Sequence, residues 1–416
     1  MTSDFTSVFL AFFVLTVAIR LWLKWRHIAF VTSHRAAVPA SFAERIDLPS
    51  HQKAADYTIA RCKMAVFDIL VEAGLLLALT LGGGLTALHE LWSPRLDGLS
   101  YGLAMIFSVL AISGLIDLPL SLYKQFVIEA RHGFNRMTLG LFFSDLIKQT
   151  LLGVAIGAPV ILAVLWLMSA MGQYWWFYVW LFWSAFNLLI MFVYPTWIAP
   201  MFNKFSPLED GDMKSRIEAL LTRCGFRSSG LFVMDGSKRS SHGNAYFTGF
   251  GNNKRIVFFD TLLSRLEGPE IEAVLAHELG HFRKRHVVKH MALMFAMSLG
   301  FLWLLDQLIG APWFYAGLGV AAHSTVLALI LFFLVMPVFT FPFSPLKSYL
   351  SRRHEFEADA YAAEHAQASD LVHALVKLYQ DNASTLTPDP LHSLFHDSHP
   401  PAAQRIARLQ LLDKPA

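Results

Sequence analysis

Apolar residues in this chain fall into long unbroken blocks rather than the short alternations of a water-soluble core. Seven blocks, at approximately 5–24, 64–88, 100–123, 141–170, 174–200, 288–308 and 323–345, are long enough to cross a bilayer as helices. The connections between them differ in charge. Arg26, Arg35, Arg45, Lys53, Arg61 and Lys63 lie between the first two blocks, and Lys124, Arg131 and Arg136 follow the third. Lys204, Lys214, Arg216, Arg223 and Arg227 follow the fifth, and Lys347, Arg352 and Arg353 the seventh. The opposite connections hold Arg95 or, at 171–174 and 309–322, no Lys or Arg. Positive loops stay inside, so this pattern predicts an outside N-terminus and a cytoplasmic C-terminus. The first block has its positive residues (Arg20, Lys24, Arg26) after it and reads as a retained span, not a cleaved signal.

The polar remainder comes in two pieces. Residues 201–287 predict an amphipathic helix around 210–224 and three short strands, Leu231–Met234, Ala245–Phe250 and Arg255–Phe259. Gly251-Asn252-Asn253 supplies a hairpin turn between the last two. Residues 346–416 read as helical, broken near the end by Pro388, Pro390, Pro400 and Pro401. The organisation is then spans one to five over 1–200, a first polar segment over 201–287, spans six and seven over 288–345 and a second polar segment over 346–416. The predicted class is a mainly α polytopic membrane protein with a small α+β unit on the cytoplasmic side.

Composition agrees. The chain is 55% hydrophobic and 16% charged, where soluble domains carry nearer a quarter charged residues. The net charge of +3 and the lack of a basic stripe interleaved with aromatics leave no case for a nucleic-acid partner. Cys62 and Cys224 provide neither a disulfide framework nor a C-x-x-C metal site. Asp68, Glu72, Asp117, Asp145 and Lys148 fall inside apolar blocks, where facing lipid would be costly; they are expected to pair between helices or to face a wet cavity.

The chemistry concentrates in Glu270–His281. The stretch favours a helix, on which His277 and His281 share one face. Two imidazoles so placed can grip one Zn²⁺, while Glu278, on the adjoining face, can take a proton from a water there; this is the H-E-x-x-H pattern of zinc hydrolases. A catalytic zinc needs a third protein ligand. Ser351-Arg352-Arg353-His354-Glu355-Phe356-Glu357-Ala358-Asp359 places Glu355 and Asp359 on one helix face. Glu355 is the preferred third ligand, with His354, Glu357 and His286 as competitors. Asp359 would then fix the tautomer of a ligating histidine through its other ring nitrogen.

Six segments carry a resemblance: H277-E-L-G-H281, S351-R-R-H-E-F-E-A-D359, G236-S-K-R-S-S-H-G-N-A-Y-F-T-G249, H399-P-P-A-A-Q-R405, I128-E-A-R-H-G-F-N-R136 and I198-A-P-M-F-N-K-F205. In their order they resemble the Ste24-type CAAX prenyl proteases, the integral-membrane branch of the M48 zinc metallopeptidases. The resemblance implies seven tilted helices around a large water-filled chamber, with a zinc site near its cytoplasmic end. It implies His277, His281 and Glu355 as ligands of one Zn²⁺ and Glu278 as general base and acid. It implies substrate contacts at Asn244 and His399, with His399 facing the developing oxyanion, and Arg405 and Arg352 in support. The strand beginning at Ala245 could accept substrate as an added β-strand. Gly243 stands where the family usually has serine, so a looser backbone is expected before Asn244.

The implied activity is zinc-dependent hydrolysis of peptide bonds near the C-terminus of prenylated CAAX-type substrates. One alternative is membrane-protein quality control on unprenylated substrates. Another is a transporter or lipid-binding chamber with a structural zinc, against which the intact Glu278 argues. The expected partners are a peptide or protein substrate and the lipid bilayer; the sequence sets no oligomeric state. Phe259 runs to His277 without a long acidic insertion, which suits a compact member of a bacterial inner membrane in preference to the endoplasmic reticulum.

Overall fold

The structure, a computed structural model, describes residues 1–248 and 255–413. Its helices are α1 (Thr2–His34), α2 (Leu48–Leu79), α3 (Gly84–Trp92), α4 (Gly98–Tyr123), α5 (Leu139–Ala170) and α6 (Trp175–Val193). After β1 (Phe205–Pro207) come α7 (Asp212–Arg223), β2 (Gly230–Met234), β3 (Ala245–Thr248), β4 (Arg255–Phe259), α8 (Asp260–Leu263) and α9 (Gly268–Arg283). Then follow α10 (His286–Ile309), α11 (Pro312–Gly317), α12 (Thr325–Thr340), α13 (Ser344–His365), α14 (Ala368–Asp381), α15 (Pro390–His396) and α16 (Ala402–Leu412). The protein is an integral membrane protein that crosses the bilayer several times. Six helical stretches are long and apolar enough to cross, or up to 7 if α2 and α3, bent by 51°, make one span.

The predicted spans are therefore present, with different ends. The block at 64–88 falls on two helices: α2 starts sixteen residues earlier and stops at Leu79, and α3 follows from Gly84. Leu81-Gly82-Gly83-Gly84 interrupts it; Gly83 is left-handed (φ 79°), and Gly319 lies against the Leu81 backbone so closely that a Cβ would come within 2.8 Å. α1 likewise continues past its apolar block to His34. Hydropathy marks only the part in lipid, whereas these helices run on into the polar layer, where Ala54 and Tyr57 are buried and the Tyr57 hydroxyl donates to Glu129 Oε1 at 2.5 Å.

Two of the intramembrane ionisable residues, Asp68 and Glu72, pair between helices as expected. Arg20 meets Glu72 at 2.9 Å and Lys124 meets Asp68 at 3.0 Å. With Asp117 they line a cavity of about 790 Å³ among the spans. Asp145 is instead claimed by the polar layer: Arg239 reaches it at 2.8 Å. Lys148 Nζ donates to the Met201 carbonyl at 3.4 Å.

The polar layer holds a four-stranded sheet in the order β1-β2-β4-β3. The predicted β3–β4 pairing is antiparallel, from Ala245 opposite Phe258 to Thr248 opposite Arg255. Its turn, and Gly249 and Phe250 of the predicted strand, lie outside the described residues. β2 and β4 run parallel, and β1, which the sequence did not signal, adds to β2 antiparallel. One face of this sheet joins α7, α9 and α14 around Leu220, Ile256, Phe258, Ile271, Leu275 and Leu371, all nearly or fully buried. Each such side chain contributes about 1.5–3 kcal/mol by leaving water.

α9 starts at a reciprocal cap between Glu267 and Glu270, with Pro269 in its first turn. It packs directly on α13. The contact is backbone to backbone at Gly280, where a Cβ would lie 2.9 Å from Ala358 Cα and 3.0 Å from its carbonyl oxygen. Gly280→Ala should therefore cost about 1–3 kcal/mol, the range for an overpacked contact. Gly300→Ala on α10, where nothing lies within 4 Å of the new Cβ, should leave stability unchanged or raised. Thermal unfolding in detergent compares the two.

Candidate active site

The α9–α13 contact decides what meets at the site. On α9 the Nε2 atoms of His277 and His281 stand 3.2 Å apart. From α13, Glu355 Oε2 lies 3.5 Å from His277 Nε2, and Oε1 lies 3.3 Å from His281 Nε2. One ligand atom from each of the three lies within 4.8 Å of the others, the one such trio of His, Cys, Asp or Glu among the described residues.

Behind the trio is a buried charge network. Asp359, one turn beyond Glu355 and 1% exposed, places Oδ1 2.8 Å from His277 Nδ1. Arg405 of α16 donates to both its oxygens, Nε to Oδ2 at 2.9 Å and Nη2 to Oδ1 at 2.6 Å. Nη2 also comes within 3.3 Å of His277 Nδ1. A guanidinium only donates, however, and an Nδ1–H engaged with Asp359 has no lone pair left for it. The closeness reflects a shared partner in Asp359. Burial disfavours a charged His277 ring, as does Arg405, but hydrogen bonds to Asp359 and Glu355 outweigh both and push the imidazole up to about 9. The site draws positive charge.

The donor set fits a zinc ion. A metal ion would displace the proton from His277 Nε2; with Nδ1–H turned to Asp359, that nitrogen's lone pair then faces the same point as His281 Nε2 and Glu355. Glu355 Oε2 is buried without a hydrogen bond, Arg405 Nη1 standing 3.7 Å away. In a tetrahedral shell with Zn–N and Zn–O near 2.0–2.1 Å, neighbouring ligand atoms sit about 3.3 Å apart. The 3.2 Å between the two imidazole nitrogens matches, and the Glu355 carboxylate faces both rings, with Oε2 3.5 Å from His277 Nε2 and Oε1 3.3 Å from His281 Nε2.

The other predicted residues are distributed around this point. Glu278 is half-buried and has no hydrogen-bond or ion-pair partner among the described residues. His399 is 62% exposed at its side chain, with Nε2 3.5 Å from Glu355 Oε1. It lines a second cavity, of about 460 Å³, that shares His396 with the intramembrane one. Asn244 is exposed at the head of β3, its Oδ1 accepting from Ala245 N at 2.8 Å. Arg352 does not touch the trio; its Nη1 donates to the Ser393 carbonyl at 2.8 Å and fastens α13 to α15. The segment before Asn244, expected to be loose at Gly243, is tied down. Asn382 Oδ1 accepts from Gly243 N at 3.2 Å and faces His242 Nδ1 at 3.1 Å, and the His242 ring stacks on Phe134. The competitors for third ligand, His286, His354 and Glu357, lie together outside the trio: His286 faces Glu357 at 3.0 Å and stacks on His354.

Apolar spans joined to a His-His-Glu trio, beside a glutamate without a partner among the described residues, define an integral-membrane metallopeptidase. Comparison with known proteins agrees. Residues 27–204 match the CAAX prenyl protease N-terminal family, described as five membrane helices, and residues 207–413 match peptidase family M48. A CAAX prenyl protease 1 homolog of Arabidopsis thaliana is 40% identical over 319 residues, 75% of this chain and 74% of that protein. CAAX prenyl protease 1 of Saccharomyces cerevisiae is 34% identical over 409 residues, 91% of this chain and 89% of that one. The crystal structure of S. mikatae Ste24p superposes with a TM-score of 0.91 at 32% identity, covering 97% of this chain and 99% of the other. The chain belongs to the Ste24-type CAAX prenyl protease branch of the M48 metallopeptidases.

Removing Asp359 would leave the Arg405 guanidinium buried without its partner. Asp359→Ala should therefore lose about 3–5 kcal/mol of stability, much of it recovered by adding Arg405→Met. Thermal unfolding of the single and double variants measures both steps.

Proposed function

We propose that the protein is a zinc endopeptidase that cuts near the C-terminus of prenylated CAAX-type substrates, with zinc held by His277, His281 and Glu355. The observation that carries the reading is the convergence of those three side chains, with Glu278, next to His277, without a partner among the described residues. Zinc at this point would supply Lewis acidity, polarising a peptide carbonyl and making a water more acidic. Glu278 takes a proton from the attacking water and returns it to the leaving amine. His399 donates a hydrogen bond to the carbonyl oxygen as charge develops there. Asp359 holds His277 in the tautomer whose Nε2 faces the trio, and Arg405 holds Asp359. Arg352 acts at one remove, by keeping α13 seated on α15.

Substrate enters this reading along β3. The strand closes the sheet at the edge opposite β1, so a peptide laid beside it gains main-chain hydrogen bonds whatever its side chains. Asn244, exposed at the head of that strand, is assigned to substrate binding with Ala245. Recognition of backbone alone also suits unprenylated chains, which keeps a quality-control role as the second reading. The division at 200, 287 and 345 into two membrane portions and two polar segments, and an outside N-terminus with a cytoplasmic C-terminus, follow from the apolar blocks and the loop charges. The relatives compared above are eukaryotic and lend no support to the bacterial membrane expected from the sequence.

Glu278→Gln should retain one zinc per chain while peptide cleavage falls by at least about 10²-fold, the lower range for loss of a general base. Metal analysis and a peptide assay test this together; hydrolysis persisting in that variant refutes the role. A farnesylated C-a-a-X peptide should be cut faster than its unprenylated counterpart, and a chelator should stop both. Equal rates on the two peptides would favour the quality-control reading.

A further inference from the structure

Each metal-facing histidine needs something to hold its other ring nitrogen. For His277 that is Asp359. For the Nδ1 of His281 no carboxylate does so among the described residues. Its Nδ1 stands 3.0 Å from the Nδ1 of His286, whose Nε2 in turn stands 3.0 Å from Glu357 Oε2. The spacing is not one a continuous helix allows, because residues five apart on a helix point about 140° away from each other. The meeting depends on a break. α9 ends at Arg283, and Arg285 takes a left-handed backbone (φ 56°, ψ 36°) before α10 begins at His286. A non-glycine residue pays on the order of 1 kcal/mol for that conformation. Here it swings His286 back beneath His281, where it is 4% exposed.

We propose that His286 and Glu357 form a positioning relay for His281, an inference that rests on the trio being the metal site. The direction of the relay follows from its outer end. A carboxylate accepts only, so His286 Nε2 carries the hydrogen that faces Glu357. His286 Nδ1 is then the acceptor, His281 Nδ1–H donates to it, and the lone pair of His281 Nε2 is left facing Glu355 and His277. The opposite arrangement would set the lone pair of His286 Nε2 against the Glu357 oxygen at 3.0 Å, which is repulsive. Arg353, 3.2 Å from Glu357, and Lys289, 4.0 Å away, balance its charge from outside. The two ligating rings are thus backed unequally: His277 directly by a carboxylate, His281 through a second imidazole.

The test is zinc affinity of the full-length protein in detergent, measured by competition with a chromogenic chelator alongside thermal unfolding. His286→Leu removes the acceptor while filling the space, and should weaken zinc binding by roughly 10–100-fold, as loss of an outer hydrogen-bond partner does. His286→Asn keeps an acceptor oxygen where Nδ1 stood and should restore most of that affinity. Glu357→Ala, at a position exposed enough to leave the fold intact, should weaken binding several-fold with unchanged unfolding. The relay is overturned if His286→Leu binds zinc like the parent, if Asn fails to improve on Leu, or, should the Leu variant not fold, if Glu357→Ala leaves affinity untouched. A parent protein that binds no zinc would instead overturn the assignment of the trio itself.

Discussion

The site depends on one close approach, that of α9 to α13 at Gly280. Two helices that meet backbone to backbone there put His277 and His281 opposite Glu355 and Asp359 with no room for slack. Everything polar at the centre is then a consequence of register. Glu355 and Asp359 are four residues apart, so one faces the Nε2 atoms of the two histidines while the other lies behind His277. Arg405 completes the arrangement by neutralising Asp359 inside the protein, where a lone carboxylate would be expensive. The network is held from outside by the sheet and α7 and α14, whose apolar faces bury the opposite side of α9.

Much of this was legible in the sequence, and for identifiable reasons. The spans announce themselves because lipid imposes a continuous apolar run. His277, Glu278 and His281 announce themselves because a single helix fixes their spacing. Glu355 stood out from His354 and Glu357 less clearly, since which face of α13 meets α9 is a tertiary matter. The parts that were not legible are those where the chain departs from regular structure. α2 starts before the apolar block and breaks within it because hydropathy sees lipid and not helix, and because Gly319 lies against the backbone at Leu81. β1 is three residues long and ends in proline, too little for a pattern. The contact of His281 with His286 is invisible to helical periodicity, because it exists only through the left-handed Arg285.

The charged residues of the spans also change meaning once seen in place. Arg20 with Glu72 and Lys124 with Asp68 are ordinary interhelical pairs by distance, yet they line one cavity with Asp117. Asp145 belongs to a different task, anchoring Arg239 and through it the segment that leads to β3. Ionisable groups at similar depth in the sequence therefore serve the interior of the bundle in one case and the attachment of the polar layer in the other.

Neither ligand-bearing helix floats free of the membrane portion. α9 is separated from α10 by two residues, and α13 follows α12 through one tight turn at 341–343. The hydrolytic centre is in effect mounted on two posts whose lower ends stand in the acyl chains. The placement of His277, His281 and Glu355 relative to the spans is consequently built into the two short connections and needs no separate hinge or linker to set it.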